Sequence, residues 1–233
     1  MKFLFYILTL AFLISGCQSK PHKITTQAIG SHLQAKTVIL KSSPEGKELL
    51  AAIDTTGLDY LQKFWIPQKK NYCGVCSAVI TANALNNSKT LNQDNFFTPE
   101  VSAVIKAETV SRMGMTLREL EETLSHSGLQ AKRYYSHVSG LDLFKHHIKN
   151  WDYKSEMFIV NFSRQSIAGE GMYSGHFSIV AGYNLEKRQV LILEVNGDKE
   201  SFWISDRDLY TAMQAIDPVS KIPRGWIHAK RGR

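Results

Sequence analysis

The spacing of apolar residues changes character near residue 150, and that change leaves the chain few architectures. Before it, the signals are helical. Thr98 stands ahead of Pro99 as an N-cap ahead of a first-turn proline. Thr116 and Glu119 form a capping box, Leu117, Leu120 and Leu124 share one face, and Gly128 ends that run. "GKELLAAI" and residues 140–150 also read as helices, and "NNSKTLNQDNFFTPE" as a loop. Residues 73–85 carry small and apolar side chains on nearly every side, the pattern of a buried helix. After the change, "MFIVNF", "HFSIVAGY", "QVLILEV" and "SFWIS" are short β-rich runs separated by turn residues. "SDRDLYTAMQAI" reads as a capped helix and "RGWIHA" as a last strand. Helices first and antiparallel strands second indicate an α+β domain.

The N-terminus, "MKFLFYILTLAFLISGCQSK", reads as a secretory signal. Lys2 supplies the positive end, and Phe3 to Ile14 is apolar apart from Thr9, too short for a comfortable membrane span. Ile14-Ser15-Gly16-Cys17 resembles the bacterial lipobox, in which the cysteine is lipidated and becomes the new N-terminus. Gln18 after it resembles outer-membrane sorting signals. The expectation is a signal over residues 1–16, a membrane tether through Cys17 over 17–44, and one domain over 45–233. The location implied is the periplasm of a Gram-negative bacterium. The net charge is +7, with no basic stripe interleaved with aromatics. That excludes a nucleic-acid reading and suits a small anionic substrate. A homodimer is left open.

The chemistry begins at "NYCGVCSAVITANAL". A thiol at the start of a helix sees the positive end of the helix dipole and unpaired N–H groups, which favour the nucleophilic thiolate. Cys73 is in that position. His176 starts a strand after the glycine-rich "AGEGMYSG", where a ring can point into a cleft. Glu194, a carboxylate in an apolar run, needs a partner if buried, and Asn196 lies two residues on. Cysteine, then histidine, then an orienting Glu or Asn is papain-like logic. Gln68, five residues before Cys73, can offer its side-chain amide beside the Cys73 N–H as an oxyanion hole.

With these residues in view, the chain resembles the bacterial phytochelatin synthases, a papain-like family that acts on glutathione. The resemblance rests on "NYCGVCSAVITANALN", "QDNFFTPEVSAVIKAETVSRMGMTLRELEETL", "FIVNFSRQSI", "GHFSIVAGYN" with "LILEV" behind it, and "AIDPVSKIPRGW". It implies a papain-like fold, with a nucleophile helix packed on an antiparallel sheet. It makes Cys73 the nucleophile that takes the γ-glutamylcysteinyl group and releases glycine, with His176 as base and then acid. The third member in the family is an aspartate, where this chain has Glu194. Asp217 and Arg224 match positions around the γ-glutamyl end. Gly197 stands where the family often has an arginine, and Gln68 is one residue closer to the cysteine than the family's glutamine. The resemblance requires no cofactor. The plant enzymes' cysteine-rich C-terminal half has no counterpart, which weighs against activation by cadmium– or zinc–glutathione thiolates and against long phytochelatins. Hydrolysis of glutathione to γ-glutamylcysteine and glycine, with slow transpeptidation, is the expected activity.

Rival readings are a thioredoxin-like oxidoreductase, a leader-peptide peptidase of the same architecture, another γ-glutamyl peptidase, and a non-catalytic exported lipoprotein. No β-α-β pattern precedes the C-x-x-C, which counts against the first. Two cysteines with no second ligand pair make only half a zinc site. Cys76 reads either as a small helix-face residue or as the partner of a disulfide that silences Cys73.

Overall fold

In a computed structural model of the chain, residues 38–149, 151–169 and 174–232 are described. The expectations for the signal, Cys17 and most of the tether, and for part of the glycine-rich loop, fall outside them. The elements run β1 (Ile39–Leu40), α1 (Pro44–Ala51), α2 (Thr56–Gln62), α3 (Cys73–Asn86), α4 (Pro99–Val104), α5 (Ala107–Met113), α6 (Leu117–His126), β2 (Leu129–Tyr135), α7 (Ser136–Ser139), α8 (Leu141–Lys149), β3 (Glu156–Ser163), α9 (Arg164–Ala168), β4 (Gly175–Asn184), β5 (Gln189–Leu193), β6 (Phe202–Ser205), α10 (Asp206–Met213) and β7 (Gly225–Arg231).

The strands form one antiparallel sheet in the order β1-β6-β5-β4-β3-β7-β2. The α+β expectation therefore holds. Ile39 and Leu40 pair with Trp203 and Phe202, so the sheet begins ahead of residue 45, inside the segment read as a tether. The Thr98 and Thr116 caps are present, with the Thr116–Glu119 box closed from both sides. A cap of this kind contributes about 1 kcal/mol.

Alternation along each strand sends side chains to two separate cores. Met157, Ile159, Phe177, Ile179, Leu191, Leu193, Ile227 and Ala229 face the helical side, where α3 is buried from Gly74 to Leu85. Phe158, Val160, Val180, Ile192 and Trp226 face the other side, under α8 and α10. A helix apolar on all sides has no solvent face to lose. Wedged between the sheet and α6, α3 therefore carries its first residue to a fixed place over the sheet. Leu129–Tyr135 is a strand that the sequence pattern does not announce. "LQAKRYY" alternates only weakly, and pairing with β7 at the sheet edge makes it extended.

Candidate active site

Cys73 is the first residue of α3. Its N-cap, Tyr72, makes no side-chain capping bond, so the first-turn N–H groups are left to the site. His176 is the second residue of β4, paired with Phe162 of β3. Glu194 lies one residue past the end of β5, not within the strand as its apolar setting suggested. These three elements meet at one place. The ring of His176 is coupled electrostatically to the Cys73 thiol, and its Nε2 lies 2.6 Å from Glu194 Oε1. His176 and Glu194 are only 2% and 4% exposed, so each needs the other.

The partners fix the tautomer. A carboxylate only accepts, so Nε2 donates its proton to Glu194. A guanidinium only donates, and Arg164 Nη2 lies 2.9 Å from Nδ1, so Nδ1 presents its lone pair. Ser178 Oγ, also buried, lies 3.1 Å from Nε2. Asn196 serves Glu194 rather than the ring. Its backbone N–H donates to Glu194 Oε1 at 2.8 Å, and its side-chain oxygen accepts from the Asp198 N–H. Glu194 thus stands just past the strand end, where a turn N–H can reach its carboxylate.

The charges follow. Burial alone pushes the Cys73 thiol up, but the His176 hydrogen bond and charge, the Phe177 N–H and the Arg164 charge outweigh it and hold the thiol below its usual value. Burial likewise pulls His176 down, and its bonds to Cys73 and Glu194 outweigh that and raise it. Burial works against the Glu194 carboxylate too, yet His176, the Asn196 N–H and Arg164 leave it lowered. Cys76 is the opposite case. Burial, with the Cys73 and Glu194 charges behind it, pushes its thiol far up, and its S–H donates to the Ile66 carbonyl at 3.3 Å. Both thiols are free.

A cleft of about 390 Å³ opens over Cys73 and His176, within the roughly 300–1,000 Å³ usual for small-molecule sites. Gln68, Asp217 and Arg224 line it, so the residues singled out from sequence converge around one space. Arg224 is 3% exposed. It donates to the Ala215 and Ile216 carbonyls and lies 3.8 Å from Asp217 Oδ1. A Cβ on Gly175 would come within 2.8 Å of the Arg224 guanidinium, so glycine there lets the arginine lie across the strand. Arg164 and Asn161 are among the lining residues that escaped sequence reasoning. Arg164 follows β3, and Asn161, 4% exposed, points a carboxamide oxygen that has no partner among the described residues. Both belong to "FIVNFSRQSI", but only the register of β3 on β4 sets them beside His176.

A larger cavity, about 640 Å³, lies under α8, lined among others by His146, His147, His228, Glu156, Lys132 and Lys230. Among the described residues no group of three His, Cys, Asp or Glu is placed to hold a metal ion.

The sequence model of one family, described as phytochelatin synthase, matches residues 30–226. Curated relatives include glutathione gamma-glutamylcysteinyltransferase 3 of Lotus japonicus, 24% identical over 80% of this chain and 41% of its own length. The glutathione gamma-glutamylcysteinyltransferase of Schizosaccharomyces pombe is 28% identical over 51% of this chain and 28% of its own. The chain thus spans about two fifths, or less, of the length of these relatives. Among solved structures, the peptidase domain of Streptococcus ComA, a bi-functional ABC transporter, aligns with a TM-score of 0.47 at 13% identity, over 71% of this chain and 96% of that one.

Proposed function

The chain belongs to the phytochelatin synthase family, and from that premise we propose that it transfers the γ-glutamylcysteinyl group of glutathione through a thioester on Cys73. One observation carries the reading. A thiol at a helix start, an imidazole and a buried carboxylate meet at a cleft that a buried arginine and an aspartate also line.

In this reading the Cys73 thiolate attacks the carbonyl of the Cys–Gly bond. The charge that develops on oxygen is met by the Cys73 N–H and the Gln68 amide. His176, protonated at Nδ1, gives its proton to the departing nitrogen. The C–N bond breaks, and free glycine and the thioester remain. In the second half His176 takes a proton from water or from the amine of a second thiol peptide, which attacks the thioester and restores the thiol. Water gives γ-glutamylcysteine, and a second glutathione gives a short phytochelatin. Arg224 pairs with the γ-glutamyl carboxylate and Asp217 with its ammonium.

The test is mass spectrometry of products from glutathione and the reduced protein, beside glycine–glycine leader peptides as competing substrates. Release of glycine and a mass gain on Cys73 equal to γ-glutamylcysteine less water are expected. Cleavage of leader peptides alone overturns the reading.

A further inference from the structure

The Gln68 carboxamide oxygen is buried without a partner among the described residues. The side chain therefore takes its place from its backbone, and the backbone is held from several sides. The Gln68 N–H donates to Val195 O at 2.8 Å, and the Trp65 indole donates to Glu194 O at 2.8 Å. These tie one side of residues 65–69 to the chain that carries Glu194. The other side rests on Gln93. Its carboxamide oxygen accepts from the Lys69 N–H at 2.8 Å, and its amide donates to the Pro67 carbonyl at 2.8 Å. One side chain thus grips both peptide groups that flank Gln68.

Gln93 is itself only 7% exposed, and its loop is tied to the nucleophile helix by a second grip of the same kind. Asn83 of α3 donates to Leu91 O at 2.9 Å and accepts from the Leu91 N–H at 3.2 Å. On the near side of α3, the Cys76 S–H reaches Ile66 O. One helix therefore places the sulfur directly and, through two carboxamide clamps, fixes where the Gln68 amide stands. Gln93 touches neither Cys73 nor His176 in any hydrogen bond and is not among the cleft-lining residues.

We propose that Gln93 is a positioning residue for the reaction, holding Gln68 in register with the developing oxyanion on the Cys73 thioester. The inference rests on the acyl-transfer reading above. A donor displaced by about an ångström loses most of its transition-state value without changing how substrate binds in the ground state. Cys76 belongs to the same device as a thiol donor, which gives the second cysteine a use that involves no redox chemistry.

The experiment is a double-mutant cycle between Gln93→Met and Gln68→Ala. It reads the single-turnover rate of glycine release, KM, and the alkylation rate of Cys73 by iodoacetamide across pH. Removing the oxyanion donor costs roughly 10²–10³ in rate, so Gln68→Ala should fall in that range and Gln93→Met should lose about tenfold or more. KM and the alkylation profile should stay near wild type in both, because neither change touches the thiolate pair. In the Gln68→Ala background, Gln93→Met should cost nothing further. A full multiplicative loss in the double variant overturns the proposal, as does a folded Gln93→Met with the wild-type rate. An altered alkylation profile marks collapse of the site instead and also counts against it. If Gln93→Met does not fold, Cys76→Ala, which removes only the Ile66 grip, must show a smaller loss that likewise vanishes with Gln68→Ala. Gln68→Ala at the wild-type rate, with the thioester still forming on Cys73, ends the proposal and leaves the acyl-transfer reading intact. Absence of the thioester ends the latter.

Discussion

Two histidine–carboxylate pairs in this molecule share one geometry. His176 Nε2 lies 2.6 Å from Glu194, and His228 Nε2 lies 2.6 Å from Glu156, the two histidines on different strands of the same sheet. Their electrostatics differ in sign. His176 is raised, and His228 is lowered. Burial pulls both down, so the difference lies in the third party. His176 faces the thiol of Cys73, which gains from an imidazolium beside it. His228 faces Lys230 and His147, and burial with the His228 charge pulls His147 down to about 4. A histidine paired with an acid is therefore a reactive group only when something nearby profits from its proton.

Four experiments probe that contrast. The largest effect should come from Cys73→Ala, which abolishes glycine release and lowers the His176 pKa by removing the thiolate, as read by ring nitrogen shifts in an NMR titration. Next is Glu194→Gln. Loss of an orienting carboxylate in a triad costs up to about 10⁴ in turnover, and this buried site should lose at least about 10². The active form is the thiolate–imidazolium pair, populated between the lowered Cys73 pKa and the raised His176 pKa. Glu194→Gln lowers the latter, so the alkaline limb of the rate profile should move to lower pH.

The third test is thermal stability against pH, where the histidines of the two sites have opposite slopes. A raised His176 stabilises the fold below the ordinary histidine pKa of about 6.5 and loses that contribution as pH rises through its folded value. The lowered Glu194 stabilises above the ordinary carboxylate value and loses that as pH falls through its own. His147 and His228 are lowered, so the unfolded chain binds their protons more readily. Stability should fall as pH drops from about 6.5 toward 4, and His147→Phe should flatten that part of the curve. Smallest is Lys230→Met, which should raise the His228 pKa while leaving glycine release within about twofold of wild type.

Much of the site was legible because its signals are local. A cysteine at the start of a run that is apolar on all sides, a histidine opening a strand, and an acid in an apolar setting each announce themselves within a few residues. So do Asp217 and Arg224, through the resemblance of "AIDPVSKIPRGW". The residues that were missed share one property. Arg164 and Asn161 matter because Phe162 pairs with His176, and a slip of one residue would turn both away. Gln93 matters because its loop folds back 24 to 26 residues onto the Gln68 peptide. In sequence it is one more polar residue in "TLNQDNFF". The choice between Glu194 and Asn196 was of this kind too, since both are within reach and only the turn after β5 assigns the side chain of one and the N–H of the other.

Composition and short-range pattern determined the element types, the helix that carries Cys73, and the α+β class, because caps, periodicity and turn residues act over a few bonds. Which imidazole faces the thiol, which acid faces the imidazole, and what holds the amide beside them were decided only when the sheet closed. Strand register and loop docking are set by buried contacts between residues far apart in the chain, and a linear string does not encode their geometry.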